Sequence, residues 1–230
     1  MKIQAKKPLI LFTAPPEAKE ILSGIRFERI SLFNGHLYAL PGNHCQKLYI
    51  GLTGTGKVQA GINTIRFINK INPDMIIKMG ICGTLKHELK KGTLILTENC
   101  YEADVPYAGK QIERVTLYNM RSKIFTCDKQ INEYIQKKLP GVIKGTVITV
   151  DRFVSSCDNL LQKSLPLNPE IVDQEAAAII KCAYLNQIPF TAVFIISDNI
   201  TETNNSETEI IEYLPEAARQ FNSLFMKIFF

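Results

Sequence analysis

The sequence predicts a three-layer α/β domain. Two observations carry this. Short apolar strand patterns alternate with amphipathic helix patterns through most of the chain. In addition, one segment, Met75 to Met79, is nearly all apolar, as a strand buried on both faces of a central sheet must be.

The elements follow in order. Pro8 to Phe12 is a strand; Thr13-Ala14-Pro15-Pro16 breaks it, and Glu17 to Ser23 starts a helix with proline in its first turn. Ile30 to Leu40 and Leu48 to Leu52 are strands around a loop at Pro41-Gly42-Asn43. Val58, Ile62, Ile65 and Ile68 recur at helical spacing after the glycine turn 51–56. Asn72-Pro73-Asp74 is a turn, and the strand from Met75 ends at Gly80. Gly92 to Thr97 is a strand, Asp128 to Leu139 an amphipathic helix and Val142 to Val150 a strand. Glu170 to Asn186 is a helix rich in alanine and isoleucine, and Phe190 to Ser197 is a last buried strand. A helix runs from Glu207 to the C-terminus, with Pro215 marking a bend or a break. With no linker, repeat or low-complexity stretch in its 230 residues, the chain reads as one domain over 1–230.

Composition narrows the function. Hydrophobic residues at 46% supply a core, and charged residues at 21% argue against disorder. The net charge of +5 comes from scattered lysines with short runs at 6–7, 90–91 and 137–138, which suits solvated faces and not a nucleic-acid footprint. No apolar run reaches the length of a membrane span. The six cysteines form no CxxC pair, and His36, His44 and His87 have no metal-ligand spacing, so neither a metal nor another cofactor is expected. Cysteines in apolar segments and the lack of a signal peptide point to the cytoplasm.

The stretch GLTGTGKVQAG, 51–61, is almost a phosphate loop, but Val58 stands where that motif needs a magnesium-binding hydroxyl. Its glycines still sit at a strand-to-helix turn, where backbone N–H groups face a ligand. Ligands of α/β sheets bind at the carboxyl ends of strands. The polar groups placed there are Glu17, Thr53 to Gly56, Gly80 to Gly83, Asp151 to Phe153 and Ser197-Asp198-Asn199, joined by Glu175 from the segment DQEAAAII.

Five segments in this order resemble the purine/uridine nucleoside phosphorylase superfamily: TGTGKVQAG (53–61), IIKMGICGTL (76–85), TVDRFVSS (149–156), VDQEAAAI (172–179) and FIISDNI (194–200). The resemblance implies an α/β/α sandwich with a central mixed sheet and a purine nucleoside as the small-molecule partner. It makes the glycine turn a nucleoside-site loop. Phosphorylases of the hexameric type carry a phosphate-gripping arginine in the region of Glu17, whereas methylthioadenosine/S-adenosylhomocysteine nucleosidases use a glutamate there to activate water. An ungapped match to the nucleosidase pattern sets Ala18 opposite that glutamate; a one-residue gap brings in Glu17. Lys78 lies near a phosphorylase arginine, while Ile81 replaces a family serine that touches phosphate or ribose.

The implied chemistry is cleavage of a purine N-glycosidic bond. Asp198 would protonate N7 of the base, which needs a raised pKa, and Glu17 would activate water. Glu175 would accept hydrogen bonds from the ribose 2′ and 3′ hydroxyls. Phe153, with Val154 beside it, would stack on the base, and Cys82 and Gly83 line the base side. Thr55 belongs to the glycine loop, and Gln174 replaces a methionine that packs on the sugar. Tyr101-Glu102-Ala103-Asp104-Val105 resembles a lid segment of the dimeric nucleosidases, so Tyr107 would reach across a homodimer interface. Three functions stay open at this point. They are hydrolysis of methylthioadenosine, S-adenosylhomocysteine or a related nucleoside such as futalosine; phosphorolysis with Lys78 as phosphate ligand; and nucleoside binding without turnover.

Overall fold

A computed structural model describes residues 5–41, 47–104, 124–154, 168–202 and 207–230. His44, Cys45, Tyr107 and Cys157 lie outside the described residues. The elements are β1 (Pro8–Phe12), α1 (Pro15–Gly24), β2 (Glu28–Ile30), β3 (His36–Leu40), β4 (Leu48–Leu52), α2 (Lys57–Ile71), β5 (Met75–Thr84), β6 (Leu94–Glu102) and β7 (Phe125–Thr126). There follow α3 (Lys129–Lys138), β8 (Ile143–Thr149), β9 (Ile171–Asp173), α4 (Ala176–Leu185), β10 (Phe190–Asn199) and α5 (Glu207–Phe229).

The sheet is mixed, with helices on both faces, as expected. β4, β1, β5 and β10 run parallel side by side, and β3 and β2 extend the β4 edge antiparallel. From β10 the sheet curls: β10 pairs β6, β6 pairs β8, β8 pairs β9, and β9 returns to the end of β5. Five strands thus close a ring, which alternation of strands and helices did not foretell.

Strand alternation divides the core. Leu9 and Leu11 of β1 pack with Ala60 and Phe67 of α2 and with Ile179 and Ile180 of α4. Ile10 and Phe12 face the other way, against Ala18 and Ile21 of α1 and Phe221 and Phe225 of α5. Phe12 meets Phe221 edge-on at 5.5 Å between centroids.

Several sequence expectations need correction. Ile30 to Leu40 is no single strand: β2 and β3 form an antiparallel hairpin whose turn uses Asn34 at φ 49°. The strand from Met75 does not end at Gly80 but continues to Thr84, because β9 and β10 pair with its far end. β6 and β10 likewise run on to Glu102 and Asn199. Glu170 to Asn186 is not wholly helical. Its first residues pair with β8 and β5 as β9, and Asp173 then starts α4 by accepting from the N–H groups of Glu175 (3.1 Å) and Ala176 (2.7 Å). Pro215 does not break α5, which is helical on both sides of it. The two-residue β7 carries no pattern long enough to read.

Candidate active site

A cavity of about 280 Å³ opens at the carboxyl ends of β1, β5 and β10. Its wall contains ten of the eleven residues singled out from the sequence: Glu17, Thr55, Ile81, Cys82, Gly83, Phe153, Val154, Gln174, Glu175 and Asp198. The eleventh, Tyr107, lies outside the described residues. Thr13, Arg152, Asp173, Ser197, Ile210 and Leu214 also line it.

Glu17 reaches the cavity from the first turn of α1, where prolines start the helix. Its side chain is buried and held by three backbone donors. Oε2 accepts from Thr13 N (2.7 Å) and Ala14 N (3.1 Å); Oε1 accepts from Ile81 N (3.1 Å). A carboxylate oxygen accepts two bonds, so Oε1 keeps one acceptor direction for a water or a hydroxyl. Ala18, the ungapped alternative, packs instead in the core with Ile10 and Ile21. The gapped match therefore describes which residue the fold brings to the cavity.

Glu175 sits at the N-cap of α4, where β9 hands over to the helix. Oε1 accepts from the Gly56 N–H at 2.9 Å and Oε2 from the Thr13 hydroxyl at 3.0 Å. Burial pushes its pKa up to about 7; the nearby Lys78 ammonium works against this, and the Asp173 and Glu17 carboxylates reinforce it. Asp173 is also raised by burial, against the Thr149 hydroxyl that donates to it at 2.5 Å.

Asp198 lies inside β10, not in a turn after it. Between Ile196 and Asp198 the register against β5 slips by a bulge, so that Ile196 pairs Cys82 and Asp198 pairs Gly83. The extra residue, Ser197, donates to the Asp198 carboxylate at 2.5 Å or to the Cys82 carbonyl at 3.1 Å. Gly83 leaves room opposite. A Cβ there would stand 2.7 Å from Ile200 Cδ1 and 3.1 Å from Asp198 Oδ2. Burial, reinforced by Asp198 and Asp173, holds the Cys82 thiol well above its ordinary pKa, so the wall here is a neutral thiol.

The geometry answers the question raised by the glycine turn. Gly56 adopts φ 85°, and its N–H and that of Lys57 point at carboxylates of this same chain, Glu175 and Asp151 (both 2.9 Å). The Lys57 ammonium pairs with Glu102 (2.8 Å) and Asp104 (2.5 Å), and Lys181 also pairs with Glu102. The helix terminus that would cradle a phosphate is already filled.

Charge is lopsided around the cavity. Glu17, Asp173, Glu175 and Asp198 are all buried in its wall, whereas the single cationic lining residue described is the exposed Arg152. Lys78 does not line it. The ammonium lies behind Thr13, bonded to that hydroxyl. Among the described residues no group of His, Cys, Asp and Glu has the arrangement of a metal site.

Sequence reasoning missed Thr13, Asp173, Ile210 and Leu214. Thr13 reads as a turn residue and Asp173 as part of a helix. Ile210 and Leu214 lie one turn apart on α5, in a pattern indistinguishable from core packing.

Comparison with known proteins relates the whole chain to one family. The chain is 29% identical to a 5′-methylthioadenosine/S-adenosylhomocysteine nucleosidase of Staphylococcus aureus over 172 residues, 72% of each chain. It is 28% identical to the nucleosidase of that name from Haemophilus influenzae, over 76% of this chain and 78% of that one. Among solved structures, the Neisseria meningitidis nucleosidase bound to methylthio-immucillin-A superposes with TM-score 0.81 at 22% identity, covering 97% of this chain and 98% of the other. Futalosine hydrolase of Helicobacter pylori superposes with TM-score 0.85 at 18% identity, covering 97% of both chains. The family model described as the Phosphorylase superfamily matches residues 10–229, and the chain belongs to that family.

Proposed function

We propose that the protein is a purine nucleosidase that hydrolyses the N-glycosidic bond of methylthioadenosine, S-adenosylhomocysteine or a related 5′-modified nucleoside such as futalosine. One observation carries the reading: two buried carboxylates, Glu17 and Asp198, meet one cavity at Ile81 and Gly83 of the same strand. Two residues of strand separate those anchor points by about 7 Å. An acid and a base facing one cavity is the pairing that inverting glycoside hydrolysis uses.

Asp198 protonates N7 of the departing purine, Glu17 takes a proton from the attacking water, and Glu175 accepts from the sugar hydroxyls. Phe153 and Val154 offer an apolar face to the base, with Cys82 and Gly83 along its edge. Thr55 and Gln174 line the same cavity, and Ile210 with Leu214 would pack on the apolar part of the 5′ substituent. No cofactor enters these steps.

Charge favours water over phosphate as the acceptor. A unit negative charge 4 Å from a carboxylate is disfavoured by about 4 kcal/mol at an effective dielectric of 20, close to a thousandfold in binding. The wall carries four acids, and the Lys78 ammonium stands behind Thr13, outside the lining.

The test is release of free base from methylthioadenosine, S-adenosylhomocysteine, futalosine, adenosine and inosine, with and without phosphate. Release without phosphate supports hydrolysis. Release only with phosphate makes the protein a phosphorylase, and binding without release makes it a nucleoside-binding protein. A cytoplasmic homodimer is part of the same reading. Buried, unpaired thiols at Cys82, Cys100, Cys127 and Cys182 suit a reducing compartment. Exposed Val58 and Ile62 on α2 give a subunit apolar surface to cover. Light scattering on the eluted protein measures its assembly.

A further inference from the structure

Lys78 occupies the middle of β5, between the fully buried Ile77 and Met79, and exposes 1% of its own surface. An apolar residue would satisfy a strand covered on both faces. An ammonium there costs several kcal/mol of desolvation unless it is well paired. Its pairing is specific: Nζ donates to Thr13 Oγ1 at 2.6 Å and to the Met79 carbonyl at 3.2 Å, and lies 4.0 Å from Glu175 Oε2. Thr13 in turn donates its hydroxyl hydrogen to Glu175 Oε2 at 3.0 Å. Gly80 makes the room, because a Cβ there would stand 2.5 Å from Nζ.

Glu175 faces charge from each element packed around it. Asp173 of β9 and Glu17 of α1 oppose its ionisation, as burial does; Lys78 of β5 supports it, and so does the Gly56 N–H at the start of α2. Among the described residues Lys78 is thus the charged group that favours the carboxylate form, and the Thr13 bridge lets each hydrogen bond polarise the next.

We propose that Lys78 is a positioning residue for the reaction: acting through Thr13, its ammonium holds Glu175 oriented and ionised as the acceptor for the sugar hydroxyls. This rests on the nucleosidase reading. A protonated Glu175 would turn one acceptor oxygen into a donor and compete with the sugar for partners.

The test has a ligand-free arm and a kinetic arm. In the first, carboxyl-13C NMR of glutamate-labelled protein follows the titration of Glu175, assigned with E175Q. In K78M, which removes the charge from a side chain of similar length, the Glu175 midpoint should rise by at least about one pH unit. In K78R, which keeps the charge, it should stay near the wild-type value. In the second arm, KM of K78M for the preferred nucleoside should rise about tenfold at pH 7 and approach the wild-type value above roughly pH 9, with kcat changing less. A purely structural lesion would raise KM at every pH. If K78M does not fold, T13V cuts the bridge while leaving the charge, and should raise both the midpoint and KM.

An unchanged Glu175 titration in K78M, or in T13V where K78M fails to fold, overturns the proposal. So does phosphate-stimulated base release that K78M abolishes, since Lys78 would then be a phosphate ligand. A shifted titration together with no base release from wild type refutes the nucleosidase reading alone and leaves Lys78 as the group that holds Glu175 ionised.

Discussion

Replacing Glu17 by glutamine separates its two tasks. The carboxylate satisfies three backbone donors, two at Oε2 and one at Oε1. Glutamine has one acceptor oxygen. If that oxygen takes the place of Oε2, the amide NH2 confronts the Ile81 N–H; if it takes the place of Oε1, the NH2 confronts Thr13 and Ala14. The better orientation orphans one donor, at about 1–3 kcal/mol, and weakens two charge-assisted bonds to neutral ones. Relief from burying a charge offsets part of this, leaving a net loss of roughly 2–3 kcal/mol. With a urea m-value near the upper end of the usual range, the unfolding midpoint should fall by about 1 M.

The catalytic consequence is larger. Without a base for the attacking water, kcat should drop by roughly 10²–10⁴, and KM should stay within about twofold because no proposed sugar or base contact is lost. The assay follows base release from methylthioadenosine under conditions where far-UV circular dichroism finds E17Q folded. A kcat within tenfold of wild type would remove Glu17 as the base. An unchanged urea midpoint would refute the accounting of donors.

Other consequences can be measured with the same methods. G83A places a methyl 2.7 Å from Ile200 and 3.1 Å from the Asp198 carboxylate, so kcat should fall by at least about tenfold with the circular dichroism spectrum unchanged; a wild-type kcat would show that Asp198 does not depend on that gap. G56A combines a side chain at φ 85° with a Cβ 2.8 Å from Asp151 Oδ1, so urea unfolding should report a loss of about 1–3 kcal/mol, and KM should rise as the donor to Glu175 moves. Glu175 has a folded pKa raised to about 7 from 4.5. Its contribution to stability is therefore full below about pH 4.5 and lost as pH rises through 7, a swing of about 3 kcal/mol that E175Q should flatten in urea midpoints taken at pH 5 and pH 8.

Much of this site was legible because its residues end or follow strands, where polar residues stand out against apolar runs. Glu17, Cys82 and Asp198 were visible that way. Two features were not. The bulge at Ser197 leaves the apolar-polar pattern of β10 intact and is defined only by pairing with β5, so the sequence pattern ends the strand at Ser197, one residue short of Asp198. β9 is three residues long and runs straight into an alanine-rich helix, so helical composition hid the strand and, with it, the capping role of Asp173. Lys78 stands out in the sequence beside a phosphorylase arginine position, but sequence gives no hint which way a lysine turns inside a central strand. That direction is set by Gly80 and Thr13, contacts across separate elements.

The near-match to a phosphate loop follows from the same physics. A helix N-terminus after a parallel strand presents N–H donors to whatever anion is held there. Here the chain supplies its own anions from far downstream, Glu175 to Gly56 and Asp151 to Lys57. Because they are tethered, a free phosphate must compete against a high effective concentration. Val58 can then lack a hydroxyl and stand exposed, since no metal-bound phosphate has to be held. The cation such a phosphate would need, Lys78, is turned inward onto Thr13. On the nucleosidase reading, the glycine turn serves the sugar indirectly by fixing Glu175, and the acid-rich wall leaves water as the acceptor.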